Sequence, residues 1–181
     1  MDRAAIVSML DRRGVTYGLV EHPPAQTTLE ADAFIEGHEG VRTKSLFLVN
    51  RKRTRSYLVV MDDRKALDLS ALAQVLGEGR LSFGSADRLR DALDLEPGVV
   101  SPLGLLSPAH RGTLLSFDRD MLSERVLTFH PGDNRATIFI ATADLLEICW
   151  TRKASNIRSS TADALDAARR DGPSTRPEHR A

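Results

Sequence analysis

The chain contains a single cysteine, Cys149, and this scarcity excludes two kinds of protein architecture. One thiol cannot form an internal disulfide, and it cannot supply a cysteine-rich zinc site. Net charge is also lacking, because 25 basic residues balance 25 acidic residues. Without a global positive field, binding of nucleic acid regardless of its sequence is not expected, but zero net charge does not exclude a local basic patch.

Long apolar runs are missing as well. Residues 1–6 carry charge and lack the apolar run of a secretory signal, and no later stretch approaches the length of a membrane span. The sequence has no glycine-rich phosphate loop, no HExxH, no CxxC and no GxSxG motif, and its five histidines do not fall at metal-ligand spacing. We therefore expect a cytoplasmic protein without a membrane segment, metal or cofactor.

What the chain does have is a length of 181 residues, enough for one domain with a sizeable core. Hydrophobic patterns predict strands at residues 16–21, 42–49, 56–61, 80–83, 113–117, 126–130 and 136–140. They predict helices within residues 3–13, 28–34, 68–76, 85–95 and 142–150, with caps at Thr28, Asp68, Ser85 and Thr142. Because strands and helices are interspersed and several strands are hairpin-connected, we expect a single α+β domain with a mixed, largely antiparallel sheet flanked by helices.

The domain is expected to end near residue 150. Residues 151–181 are polar and have no long apolar period, so they predict a flexible C-terminal tail.

Lys44 is the first residue that needs a chemical explanation. It lies in residues 43–49, a segment otherwise typical of a strand buried on both faces, and it shares one face with Leu46 and Leu48. A lysine at the mouth of such a strand either extends its ammonium group to water or faces a pocket. Lys44 by itself leaves both interpretations open.

Two histidines lie at the ends of predicted strands, where site residues are common. His130 precedes Pro131 and Gly132, which force a turn, so its ring either faces a site or holds that turn together. His22 precedes a double proline that could hold it at the rim of a site. Residues 97–104 contain two glycines and two prolines, and this loop either directs backbone N–H groups at an oxyanion or is an ordinary connector.

Together these segments resemble the YbaK/ProX family, the free-standing relatives of the editing domain inserted in bacterial prolyl-tRNA synthetases. The resemblance rests on Thr-Lys-Ser-Leu-Phe-Leu around Lys44, Leu-Ser-Phe at residues 81–83, Gly-Val-Val-Ser-Pro-Leu-Gly at residues 98–104, Phe-His-Pro around His130, and His-Pro-Pro at residues 22–24. It covers residues 1–150 and is greatest to the ProX branch, which implies an alanyl-tRNA(Pro) deacylase with the editing-domain fold.

The resemblance implies hydrolysis, without a metal, of the ester that joins a wrong amino acid to the terminal ribose of tRNA(Pro). By position, Lys44 matches the family's essential lysine, His130 matches the histidine of its His-Pro motif, and Gly98 and Ser101 lie in its substrate-cradling loop. The residues expected to bind substrate are Thr43, Ser45, His22, Val100 and Pro102. Ser45 stands where the ProX branch usually has asparagine, so the contacts of that amide are altered here.

In the implied reaction a positioned water attacks the ester while loop N–H groups stabilise the oxyanion. Lys44 would hold the terminal phosphate or ribose as a cation, and acting as a base is its alternative role. His130 would orient the ribose or the water. A pocket that accommodates the side chain of alanine would exclude proline sterically, because proline is larger.

The tRNA body would be met by the basic tip of the hairpin between residues 42–49 and 56–61. The tip consists of Arg51, Lys52, Arg53 and Arg55, with Arg152 and Lys153 as a weaker second group. The alternative is that this basic tip is an ordinary solvated turn that binds no tRNA. The expected partners are the acceptor end of mischarged tRNA(Pro) and prolyl-tRNA synthetase. Two alternative functions are the same hydrolysis acting on Cys- or Ser/Thr-charged tRNA, and a non-catalytic tRNA-binding or regulatory module. The sequence does not assign an oligomeric state.

Overall fold

A computed structural model describes residues 1–25, 27–110 and 112–150, which form a seven-stranded sheet and six α-helices. The strands are β1 Tyr17–Glu21, β2 Val41–Asn50, β3 Ser56–Asp62, β4 Leu81–Phe83, β5 Leu114–Phe117, β6 Val126–Phe129 and β7 Ala136–Ala141. The helices are α1 Arg3–Asp11, α2 Thr28–Phe34, α3 Leu69–Val75, α4 Ala86–Leu93, α5 Arg119–Ser123 and α6 Thr142–Trp150, and a 3₁₀ helix covers Pro102–Leu106. The predicted tail lies outside the described residues, so it stays a prediction.

The sheet has the strand order β1-β7-β6-β2-β3-β5, and β4 also pairs with β2. Within the described residues the β2–β6 and β3–β5 pairs are parallel, whereas β1–β7, β2–β3, β2–β4 and β6–β7 are antiparallel. The predicted α+β domain with a mixed, largely antiparallel sheet is confirmed. No helix in this part of the chain is long and apolar enough to cross a membrane.

Strand β2 separates two cores because its successive side chains point to opposite faces of the sheet. Phe47 and Val49 pack into the larger core, which also takes the buried faces of α1, α4 and α6. Leu46 and Leu48 pack on the other side, against a smaller core built on α3. The strand is therefore buried on both faces, and Lys44 continues the face of Leu46 and Leu48.

One edge of β2 is open in its middle. The start of β2 pairs with β6 through Val41 and Arg42, and its end pairs with β4 through residues 48–50. Between these two pairings, residues 43–46 have strand partners only on the β3 side. The sheet is therefore split between β2 and β6 beside Lys44.

Two predicted helix caps are wrong. Thr27 is the N-cap of α2, where its hydroxyl accepts the N–H of Glu30 at 3.2 Å, and Thr28 is the first residue of the helix. Thr142 is the first residue of α6 rather than its cap, and its buried hydroxyl has no hydrogen-bond partner among the described residues. Both predictions are displaced by one residue, because the ends of a helix are its least sharply defined part.

The other differences concern short elements. The loop predicted at residues 97–104 continues into the 3₁₀ helix, with a proline at its first position. Helix α5 has five residues, too few to show a helical period in the sequence, and Asp118 caps it. The predicted caps Asp68 and Ser85 do cap α3 and α4.

Candidate active site

The split between β2 and β6 opens into a cleft of about 710 Å³. This volume lies within the range of roughly 300–1,000 Å³ that is usual for small-molecule sites. The cleft is lined by β2, the end of β6 and the turn after it, α2, and the loop after α4. The lining includes Asp32, Arg42, Thr43, Lys44, Ser45, Gly98, Val100, Thr128 and His130.

Lys44 is partly buried in the wall of this cleft, and backbone carbonyls hold its ammonium group. Its Nζ donates to the carbonyl oxygen of Asp63 at 3.1 Å and to that of Lys65. An ammonium group has three N–H donors, so these contacts leave one for a ligand. No carboxylate pairs with Lys44 in the part of the chain that the structure describes, so its charge is available to a ligand in the cleft.

The two carbonyls belong to the turn after β3, which charged side chains fix. The carboxylate of Asp62 accepts the backbone N–H of Arg64 at 2.9 Å and pairs with its guanidinium at 2.8 Å. This hydrogen-bonded partner lowers the pKa of Asp62 to about 2. The side chain of Lys65 is ion-paired with Asp118 and Asp120. The turn is thus held at both ends while its carbonyls position Lys44.

His130 lies on the same face of the sheet as Lys44. Leu127 and Phe129 point into the larger core, so the alternation of β6 directs Thr128 and His130 to the opposite face. The Nδ1 atom of His130 is 3.0 Å from the carbonyl oxygen of Ala136. Because a carbonyl only accepts, Nδ1 carries a proton, and Nε2 of the neutral ring is an acceptor without a partner among the described residues.

His22 lies at the rim rather than in the lining of the cleft. Its Nδ1 is 2.8 Å from the carbonyl of Pro23, and its Nε2 is 3.1 Å from the hydroxyl of Thr137. Its ring stacks on that of Phe34, with centroids 5.1 Å apart, and its centroid is 6.1 Å from that of His130. His22 is therefore an oriented ring between the surface and the cleft.

The glycine loop contributes backbone to the cleft. Gly98 has a φ of +88°, a conformation that favours glycine. The N–H of Val99 donates to the carbonyl of Glu96 at 3.3 Å, whereas the N–H groups of Gly98 and Val100 have no partner among the described residues. These two N–H groups are the donors that the loop can offer to a ligand.

Apart from His22 at the rim, the predicted catalytic and substrate-binding residues divide into two groups. The structure brings six of them together in the cleft lining, namely Thr43, Lys44, Ser45, Gly98, Val100 and His130. Ser101 and Pro102 are buried outside the lining, because the 3₁₀ helix turns inward there, and the hydroxyl of Ser101 has no partner within the described residues.

The lining also contains residues that were not among the sequence candidates, and Arg42 and Thr128 are the two nearest to Lys44 and His130 along their strands. Arg42 is 3.4 Å from the carboxylate of Asp32 and donates to the carbonyl of Ile35 at 2.9 Å, which holds α2 over the cleft. Thr128 lies beside it in β6. Arg42 precedes Lys44 by two positions and Thr128 precedes His130 by two, so strand periodicity applied to each candidate would have identified both.

The basic hairpin tip is exposed at the opposite end of β2 from the cleft. Arg51 lies seven positions after Lys44, which corresponds to roughly 24 Å along an extended strand. The carbonyl of Arg53 accepts the side chain of Arg88 at 3.1 Å, so α4 adds a cation to this surface. Arg55 pairs with Glu78 at 3.4 Å. Arg152 and Lys153 lie outside the described residues.

The sequence matches the aminoacyl-tRNA editing domain family over residues 22–148, and the chain belongs to this family. It is similar to the prolyl-tRNA editing protein ProX of Acetoanaerobium sticklandii, with 34% identity over 146 residues that cover 81% of this chain and 89% of that protein. It is 32% identical over 146 residues to prolyl-tRNA synthetase associated domain-containing protein 1 of Danio rerio, covering 80% of this chain and 79% of that protein.

The fold is also similar to that of a solved structure. This is the crystal structure of a protein described provisionally as a trans-editing enzyme for prolyl tRNA synthetase. It superposes on this chain with a TM-score of 0.66 at 25% identity, and the match covers 82% of this chain and 92% of that one. The resemblance to the YbaK/ProX family and the editing-domain fold are therefore confirmed.

Proposed function

We propose that this protein is a trans-editing hydrolase that deacylates mischarged tRNA(Pro), with Ala-tRNA(Pro) as its substrate. The observation that supports this proposal is the convergence of Lys44, His130 and the Gly98 loop on one cleft. The names of the related proteins refer to prolyl-tRNA editing, which agrees with it. We place the reaction in the cytoplasm, with prolyl-tRNA synthetase as the enzyme whose errors are removed.

In the proposed reaction, water adds to the ester carbonyl and the bond to the ribose oxygen then breaks. The ribose oxygen takes up a proton, so the products are the free amino acid and tRNA with its terminal hydroxyls restored. The N–H groups of Gly98 and Val100 would stabilise the oxyanion, and the loss of one such donor in other hydrolases costs on the order of 2.7–4 kcal/mol. His130 Nε2, as an acceptor, would orient the water or a ribose hydroxyl.

Lys44 would act as a fixed positive charge rather than as a base. Its Nζ donates to the carbonyls of Asp63 and Lys65, which fix the position of the charged group in the wall of the cleft. The third N–H would hold a ribose or phosphate oxygen and keep the ester in place. Ser45 beside it has a buried hydroxyl without a partner among the described residues, and this small polar group replaces the asparagine amide of the ProX branch.

The test is to incubate the purified protein with Ala-, Cys- and Ser-charged tRNA(Pro) and to follow the release of amino acid. Alanine should be released fastest. Lys44→Ala should slow its release on the order of 100-fold, because it removes the group that keeps the ester in place for attack. His130→Ala should also slow the release, and His38→Ala, at an exposed histidine outside the cleft lining, is its matched control.

The same assay separates the alternatives. Arg12→Ala, at an exposed position directly after α1, should leave both release and tRNA affinity unchanged. Faster release of cysteine or serine would contradict the alanine assignment while leaving the hydrolase in place. Binding of tRNA without release of any of the three amino acids would contradict the hydrolase and favour a non-catalytic module.

A further inference from the structure

Phe34 presents an aromatic ring beside the cleft that the proposed chemistry does not use. It ends α2 and is 38% exposed. Its ring is stacked on His22, with the planes 14° apart, and His22 in turn lies beside His130. Three rings therefore form a row from the surface to the catalytic cleft.

Contacts position both His22 and Phe34. Both ring nitrogens of His22 have hydrogen-bond partners, so its ring cannot rotate without losing them. The backbone beside Phe34 is anchored, because the next residue, Ile35, is buried and its carbonyl accepts the side chain of Arg42, and the ring of Phe34 stacks on the fixed ring of His22. An exposed ring fixed in this way loses little conformational freedom when a flat ligand stacks on it.

We propose that Phe34, supported by His22, is a stacking platform for the terminal adenine base of the charged tRNA. This inference rests on the proposed function, because the ester on the terminal ribose would lie near His130 and the base of the same nucleotide would then lie beside this row. Every base presents a π-face, and aromatic side chains bind single-stranded ends mainly by stacking. Phe34 would therefore contribute affinity for the nucleotide without contacting the bond that breaks.

Kinetics give the first test. Phe34→Ala should raise the KM for Ala-tRNA(Pro) about tenfold and change kcat less than twofold, because stacking is equal in the ground state and the transition state. Phe34→Leu keeps an apolar side chain but lacks the ring, and should behave like Phe34→Ala. Phe83→Ala is the matched control, since Phe83 is a 61% exposed phenylalanine on β4, outside the cleft lining. An unchanged KM in both Phe34 variants would overturn the proposal.

Fluorescence gives a test that does not depend on hydrolysis. In Phe34→Trp, adenosine 5′-monophosphate should quench the new tryptophan saturably, whereas ribose 5-phosphate should not, because it lacks a base. The wild type, whose single tryptophan is Trp150, and Phe83→Trp are the references. Absence of saturable quenching in Phe34→Trp, or equal quenching in Phe83→Trp, would overturn the platform. If the wild type releases no amino acid from any charged tRNA, the proposed function fails while this measurement still decides on the platform.

Discussion

The hydroxyl of Thr43 donates to the backbone carbonyl of Thr128 at 2.6 Å, at the point where β2 and β6 separate. The hydroxyl of Thr128 donates in turn to the carbonyl of Val41 at 3.0 Å. Two side-chain hydrogen bonds thus continue the connection between the strands where their backbone pairing stops. The split that forms the cleft is therefore fixed by specific contacts, and its width depends on them.

The first prediction concerns this connection. Thr43→Val keeps the shape of the side chain but removes the hydroxyl donor, so the free energy of unfolding should fall by about 1 kcal/mol. The kcat/KM for deacylation should fall as well, because the variant loosens the cleft. Thr113→Val is the matched control, because the buried hydroxyl of Thr113 bonds that of Ser56 at 2.9 Å, outside the cleft lining. Urea unfolding and deacylation assays measure both effects, and equal activity in the two variants would contradict a role for the connection.

The second prediction compares two glycines. Gly98 and Gly14 both have positive φ, +88° and +66°, and a methyl group at either would have no atom of the fold within 4 Å. Gly98→Ala and Gly14→Ala should therefore each cost about 1 kcal/mol through backbone strain alone. Only Gly98→Ala should lower kcat, since only its loop is proposed to supply N–H donors to the oxyanion. Retention of full kcat by Gly98→Ala would exclude the loop as the oxyanion site.

Local patterns predicted the strands and the face of Lys44, because alternation depends on adjacent residues only. The split sheet was not predictable in this way. It depends on β6 and β4 pairing with different ends of β2, and these contacts lie far apart along the chain. The groups that hold Lys44 are likewise backbone carbonyls, and because every residue has one, the sequence does not indicate which of them bind it. Ser101 shows the same limit, since its inward turn follows from a short 3₁₀ helix that no hydrophobic period indicates.

The third prediction concerns the hairpin tip. Replacing Arg51 and Arg53 with glutamate should weaken the binding of tRNA and make its affinity less dependent on salt. With fewer phosphate contacts, fewer counterions are released when the tRNA binds. The slope of log K against log salt should fall by about 0.7–0.9 for each contact removed. The cleft lies at the other end of β2, so kcat at saturating substrate should not change. Arg12 and Arg13 are exposed directly after α1, and their replacement with glutamate is the control. A salt slope equal to that of the wild type would identify the tip as a solvated turn.

The fourth prediction concerns the turn that holds Lys44, through Asp62. Its pKa is lowered to about 2 from an ordinary 3.8, so the pair with Arg64 stabilises the folded state above pH of about 4. This contribution should be lost as the pH falls from about 4 to about 2, because protonation removes the charge that the guanidinium binds. Asp62→Asn should lower the free energy of unfolding at neutral pH by on the order of 1 kcal/mol, since Arg64 is exposed and water screens the pair.

The variant should also lose less stability than the wild type between pH 4 and pH 2, which acid titration of urea unfolding measures. Asp87→Asn, at a carboxylate that is 85% exposed, should retain the acid dependence of the wild type. Asparagine can still accept the N–H of Arg64, so Asp62→Asn should keep deacylation near the wild-type rate, whereas Asp62→Ala should lower it by loosening the carbonyls that bind Lys44. Equal deacylation by Asp62→Ala and wild type would show that this turn does not position Lys44 through the Asp62 side chain.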